Sequence, residues 1–389
     1  MLVVLETALA CVVLCNAVFM IGQRVAQMRL PNAIDQHGVV DINVQGTDPK
    51  FAKADIPRDL AALRDIPGVT AAAAFNMVPL LKGNMWVDGV VPSLDDLKRT
   101  DIPVAGTYIF TRGGPEALGL HLLEGRFFSG EEYTDSRLQS YVPTGDAVIL
   151  TKSLAERLWP GQEALGKRLW MSKTNAYTVV GIVANVLLPQ PMSRSSGSFS
   201  YSAFFPVSPT EGLDDYIVRT APQDRGRVMG EAVQKLEALS PTAVIKAKTF
   251  TDIRDKYFAG TRSMVWMLVQ VCLVMLAVTA FSIVGLTSFW VGQRRRQIGI
   301  RRALGARRAQ IAHYFQAENF LLSTAGVVIG MILAYGANLY LMQHYQLDRM
   351  PWYYLPASAV VLWILGQLAV LGPALRASNV PPVVATRSV

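Results

Sequence analysis

Few side chains in this 389-residue sequence are spaced for chemistry, and each pattern suggests a different kind. Gly161, Gly166 and Lys167 fit the opening of a phosphate-cradling loop, in which backbone amides wrap phosphates and the lysine neutralises them. That chemistry needs Ser or Thr next, to hold magnesium, and the chain has Arg168. The cradle should also follow a strand and open a helix, whereas this stretch follows a helix-ending Pro160, so its glycines are read as shaping a turn. Cys11 and Cys15 lie one helical turn apart, a spacing open to two metal ligands, but with no third ligand in view packing against another helix is favoured. His37, His121, His313 and His344 are scattered without ligand spacing, and the sequence contains neither GxSxG nor HExxH. No catalytic residue, metal or cofactor is assigned, and the protein is not expected to be an enzyme. Glu318 stands inside an apolar run, where an ionisable group is a functional candidate by default. Pairing with an arginine of the preceding loop is the simpler reading. Gly326 and Gly330 form a GxxxG pair that lets another helix approach closely, with chance in a small-residue-rich span as the rival account.

The elements around these residues are organised by residues 291–308, VGQRRRQIGIRRALGARR. This block holds seven arginines and no acidic residue, and apolar runs long enough to cross a bilayer flank it. Such a block cannot enter hydrocarbon, and short arginine-rich loops stay on the cytoplasmic side. It also supplies most of the net charge of +8, so the basic balance reflects topology, not nucleic-acid binding. An apolar content of 51% and a mean hydropathy of +0.28 exclude an ordinary soluble protein.

Four membrane spans follow. Residues 1–22 are apolar apart from Glu6 and lack the basic start of a signal peptide, so they read as the first span. Residues 263–293 carry no charge over 31 positions, ~46 Å as a helix against ~30 Å of hydrocarbon, and are read as the second span with a stalk. The arginine loop occupies 294–310, the third span 311–343, an outer turn 344–349, the fourth span 350–375 and a cytoplasmic tail 376–389. Between the first two spans, residues 23–262 read as an α+β region without cysteine. Val40, Ile42 and Val44 alternate with Asp41, Asn43 and Gln45, which predicts a half-buried strand. Asp55 and Pro57 mark a helix start, residues 147–150 and 177–183 are strands, and Lys152–Leu158 is a short helix. Residues 189–200 read as a mobile loop, and Val228, Ala232, Leu236 and Leu239 line one face of an amphipathic helix. The fold class expected is a membrane protein of four transmembrane α-helices, with a large α+β extracytoplasmic domain inserted between helices 1 and 2.

QIGIRRALGARRAQI (297–311) resembles the loop between the second and third helices of FtsX-like, MacB-type ABC transporter permeases, with Gln297 where that family usually has Glu. Two further stretches resemble the family's periplasmic core domain. GPEALGLHLLEGRFF (114–128) is similar to its YFxxLGxxLLxGRxF element, with Gly114 and Pro115 in place of the aromatic pair. AVILTKSLAERLWPGQEALGKRLW (147–170) is similar to its strand–helix–GxxxxGKxL block, and the tail resembles its closing DPxxALR, with Asn379 for Asp. The resemblance implies that Gln297, Ile298, Gly299, Ile300, Arg301, Arg302, Ala303, Leu304, Gly305 and Ala306 dock on a cytoplasmic P-loop ATPase subunit. Ile298, Ile300 and Leu304 would fill its groove while Arg301 and Arg302 meet acidic groups; arginines facing lipid headgroups are the alternative. It implies a bacterial inner-membrane location, a homodimer or a heterodimer with a related permease, and efflux of a periplasmic substrate by mechanotransmission. A periplasmic adaptor and an outer-membrane channel are possible partners, alongside membrane lipid. Lipoprotein release, signalling to a periplasmic cell-wall hydrolase and a non-transport membrane enzyme stand as alternatives. Relatives carry a cytoplasmic segment before the first helix, so this start looks clipped.

Overall fold

In a computed structural model the described residues are 1–29, 32–81, 83, 85–135, 145–189, 198–345 and 350–379, without the side chains of Ser198, Arg302, Leu341, Gln343, His344 and Tyr345. Residues 190–197 of the loop expected at 189–200, most of the outer turn and residues 380–389 of the tail lie outside them; Ser198–Ser200 form a 3-10 turn. The chain divides into two compact units, residues 30–260 and residues 1–29 with 261–389.

The first unit is built on one mixed sheet. Its strands are β1 (Val39–Gln45), β2 (Val69–Phe75), β3 (Val87–Gly89), β4 (Val104–Phe110), β5 (Leu122–Gly125), β6 (Ala147–Thr151), β7 (Arg168–Trp170), β8 (Ala176–Val183), β9 (Ser202–Pro206), β10 (Asp215–Thr220) and β11 (Val244–Thr249). The order is β11-β1-β10-β2-β4-β9-β6-β8-β5, with β3 on β4 and β7 on β8. Pairing is antiparallel except between β4 and β9 and between β6 and β8. One face packs its apolar residues against α2 (Ala52–Arg64), α4 (Lys152–Leu158) and α5 (Arg225–Leu239). Val228, Ala232 and Leu236 of α5 are buried there, as their spacing requires.

Two local expectations are corrected. The helix expected to start near Asp55 begins at Ala52, because the Asp48 carboxylate caps a preceding 3-10 turn by accepting the Lys50 N–H at 3.1 Å; Pro57 falls inside the helix. β1 is buried on both faces over its first four residues, whereas Asn43 is half-buried and Gln45 exposed, as the alternation predicts. It lies between β10 and β11, and α3 (Gly114–Leu118) covers the second face at β2 and β10. Asp41 is 1% exposed, and both its carboxylate oxygens lack a hydrogen-bond donor among the described residues. Neighbouring Asp215 accepts the Asn43 amide at 2.7 Å. Burial pushes the Asp41 carboxyl well above its usual range, the Asp215 charge adds to this and Lys248 opposes it; burial lifts Asp215 to about 6.

The second unit contains α1 (Leu2–Met28), the remainder of α6 (Phe250–Gln293), α7 (Arg295–Ala303), α8 (Arg308–Tyr345) and α9 (Tyr354–Ser378). Among these, α1, α6, α8 and α9 are long and apolar enough to cross a membrane. Bulky apolar residues such as Trp266, Leu273, Phe281 and Leu333 point outward, as lipid-facing side chains do. α8 packs against both α1 and α9. The Met350 N–H donates to Asn338 Oδ1 at 3.1 Å, tying the start of the last span to α8.

Candidate coupling segment and helix contacts

The arginine block, expected as a loop, contains a helix of two and a half turns. α7 follows α6 after a turn at Arg294, with the Ile298 N–H donating to the Arg294 carbonyl at 3.0 Å. Its end is written in the sequence. Gly305 takes φ +98°, open to glycine and strained for other residues, and the Ala306 N–H then reaches back to the Arg301 carbonyl at 3.1 Å. That backward bond is the Schellman closure of a helix by a left-handed glycine. α8 restarts at once, with Gln310 Oε1 accepting the Arg307 N–H at 2.9 Å, the reach-back half of a capping box. The segment is thus a short helix held between two defined turns.

Its side chains divide by direction. Ile298, expected to meet a partner, is 5% exposed and packs with Ile283, Val291, Ile311 and Phe315, so it anchors α7 to its own bundle. Ile300 and Leu304 are free, Leu304 at 83% exposure. Gly299 is buried, while Gln297, Ala303 and Gly305 are exposed and Ala306 is half-buried. Arg301 lies over the Tyr314 ring, 5.2 Å from its centroid; Arg302 lies in the helix, its side chain outside the described set. Glu318 accepts from Arg294 at 3.3 and 3.4 Å, joining the turn before α7 to the third turn of α8.

Gly326 and Gly330 face α1. A Cβ at 326 would lie 2.8 Å from Thr7 Cβ and from the Val4 carbonyl oxygen; at 330 it would lie 2.5 Å from Cys11 Cβ and 2.8 Å from the Ala8 oxygen. The glycines permit this approach of the two backbones. Cys11 and Cys15 sit in the same interface with sulfurs 3.8 Å apart, and Cys11 Sγ contacts the Val327 carbonyl at 3.8 Å. The phosphate-loop look-alike forms turns: Gly161 and Gly166 have φ +68° and +73°, and the Gly166 and Lys167 amides donate to the Val179 and Ala164 carbonyls. Those amides are spent inside the protein and are not turned toward a phosphate. Lys167 Nζ donates to Gln162 Oε1 at 2.7 Å.

Against known families, residues 8–247 match the MacB-like periplasmic core domain, and residues 270–382 match the FtsX-like permease C-terminal region. The chain belongs to the MacB/FtsX-like ABC permeases. The macrolide export ATP-binding/permease protein MacB of Chromobacterium violaceum is 25% identical over 276 residues, covering 67% of this chain and 40% of that protein. MacB of Bdellovibrio bacteriovorus is 22% identical over 359 residues, covering 80% and 53%. An uncharacterized ABC transporter permease of Bacillus subtilis, YknZ, is 22% identical over 270 residues, covering 67% and 65%. The chain spans about half the length of the MacB relatives it matches. It is a membrane protein of a transporter family, with a periplasmic-type domain and four candidate spans.

Proposed function

We propose that α7 is the element through which a cytoplasmic P-loop ATPase drives this permease in the bacterial inner membrane, with residues 30–260 on the periplasmic side. The observation that carries this reading is the presentation of Ile300 and Leu304 on a capped, anchored helix. Exposed apolar side chains beside cationic ones suit a protein groove with an acidic rim. Ile298 and the Arg294–Glu318 pair hold α7 to the bundle, so a push on α7 moves the bundle and does not merely bend a loop. α6 continues without interruption from Gln293 back to Phe250, directly after β11, and carries the stroke to the periplasmic domain. The work done there is export of a periplasmic substrate, with the permease acting as a pair.

A tagged full-length protein purified from membranes tests this, comparing wild type with Arg301→Glu/Arg302→Glu and with Leu304→Asp. An ATPase is expected to copurify with the wild type and to be lost from both variants while each remains inserted and monodisperse. A copurifying adaptor would support export, and a cell-wall hydrolase would support signalling. An ATPase absent from all three, or retained equally by all three, refutes docking through α7.

A further inference from the structure

A hollow opens between α7 and α8, with about 600 Å³ of space not filled by protein atoms, part of it the open solvent at its mouth. Arg294, Gln297, Arg301 and Tyr314 form its polar walls, and Ile298 and Phe315 are among its apolar lining. We propose that it binds the phosphate of an anionic phospholipid headgroup. The inference rests on the membrane character of the helices and shares Arg301 with the proposed docking segment, so Leu304→Asp separates the two: it should lose the ATPase and keep the lipid.

Four observations support it. The first is charge. Arg294 shares its charge with Glu318 at 3.3 Å, but Arg301 has no carboxylate partner among the described residues. Second, Arg301 is oriented. Its guanidinium lies over the Tyr314 ring, and stacking of this kind leaves the in-plane N–H donors of the fork free for a phosphate oxygen. Third, the hollow is at the right level. It sits just beyond Gln293, where the uncharged stretch of α6 ends, and beside the first two turns of α8, where hydrocarbon gives way to headgroups. Basic hollows between membrane helices at that level take lipid headgroups. Fourth, its lining has two kinds of surface. Beside its polar groups the lining includes Ile298, Ile311 and Phe315, whose edges close the floor, and half-buried Ala306, which can meet the glycerol and first methylenes that inorganic phosphate does not possess. A phospholipid there bridges α7 and α8 and braces the arginine segment against the bundle.

The test is native mass spectrometry of the full-length protein, purified in a neutral detergent and titrated with dioleoyl phosphatidylglycerol or dioleoyl phosphatidylcholine. Arg301→Gln is compared with Arg296→Gln, an exposed arginine off the hollow with the same loss of charge. Arg301→Lys keeps the charge and loses the fork, so the comparison survives if Arg301→Gln misfolds. Wild type and Arg296→Gln should retain one phosphatidylglycerol, with Arg301→Gln weakened roughly tenfold, as expected for one charge-assisted contact, and Arg301→Lys falling between them. Phosphatidylcholine should bind far more weakly, and millimolar inorganic phosphate should not displace the lipid. Equal binding by Arg301→Gln and Arg296→Gln would show a diffuse surface charge and overturn the site. Full displacement by inorganic phosphate would make the ligand a soluble anion. Absence of retained lipid in the wild type, with ATPase capture still dependent on Arg301, would assign the hollow to the protein partner.

Discussion

Replacing Gly330 by alanine should loosen the helix bundle, whereas the same change at Gly336, further along the same helix, should not. At 330 the new methyl carbon would stand 2.5 Å from Cys11 Cβ, 2.8 Å from the Ala8 carbonyl oxygen and 3.1 Å from Ala8 Cα. Ordinary contact begins near 3.4 Å, and two of these three neighbours are backbone, so no rotamer change relieves the clash. α1 or α8 must retreat by most of an ångström. Overpacking of that kind costs about 1–3 kcal/mol. Both substitutions gain the ~1 kcal/mol by which alanine exceeds glycine in a helix. At 336 nothing lies within 4 Å of the added carbon, so that gain stands alone. The difference between the variants isolates the packing term, about 1–3 kcal/mol in favour of Gly336→Ala. Unfolding by sodium dodecyl sulfate in mixed micelles, followed by tryptophan fluorescence, measures it. Equal stability of the two variants would refute the close approach of α1 and α8 at the glycine pair.

Two further outcomes follow from the described geometry. Asp215 titrates near 6 in the folded domain, above its unfolded value near 3.8, so the folded state holds the proton more tightly. Its contribution is most favourable below the unfolded value and is lost as pH rises through about 6, a penalty of roughly 2–3 kcal/mol at neutral pH. Asp215→Asn keeps an acceptor for Asn43 and should raise thermal stability at pH 7.5 more than at pH 4.5; a pH-independent change would remove Asp215 as the titrating group. Gly305→Ala puts a β-carbon on a residue at φ +98° and should cost about 1 kcal/mol, concentrated at the end of α7. Hydrogen exchange of the Leu304 and Ala306 amides should accelerate while α8 and α9 stay protected, and unchanged exchange would count against the left-handed closure.

The spans and the arginine block were legible because charge and hydrocarbon exclude one another locally, residue by residue. The end of α7 is legible in LeuGlyAla at 304–306, a glycine placed where a helix reverses hand, whereas the arginines themselves report topology and not helix. The direction of Ile298 was not legible. In a helix of nine residues, which side is inward depends on where α8 and α9 lie, and that information is non-local. The burial of Asp41 is not legible for the same reason: alternation reports one buried face, while its neighbours Ile217 and Lys248 on β10 and β11 lie more than 170 residues away in sequence. The glycine pair on α8 had a visible counterpart in Thr7, Ala8 and Cys11, small residues spaced to share one face of α1. Only the packing shows that the two sets meet.

β11 ends at Thr249 and α6 begins at Phe250, with no intervening linker. Thr249 Oγ1 accepts the Asp252 N–H at 3.2 Å and donates to its carboxylate at 2.6 Å, pinning the first turn to the strand that precedes it. A joint of this kind fixes an angle of rotation as well as a position. Each residue added to an α-helix turns everything after it by ~100°, so the residue count of α6 sets the face of that helix from which α7 departs. One inserted alanine would therefore swing the arginine segment by more than a quarter-turn while lengthening the helix by only ~1.5 Å, and seven would nearly restore its heading. Along the 44 residues of α6 number is thus constrained as much as identity, because a helix counts its residues and each insertion carries every later side chain onto a new face.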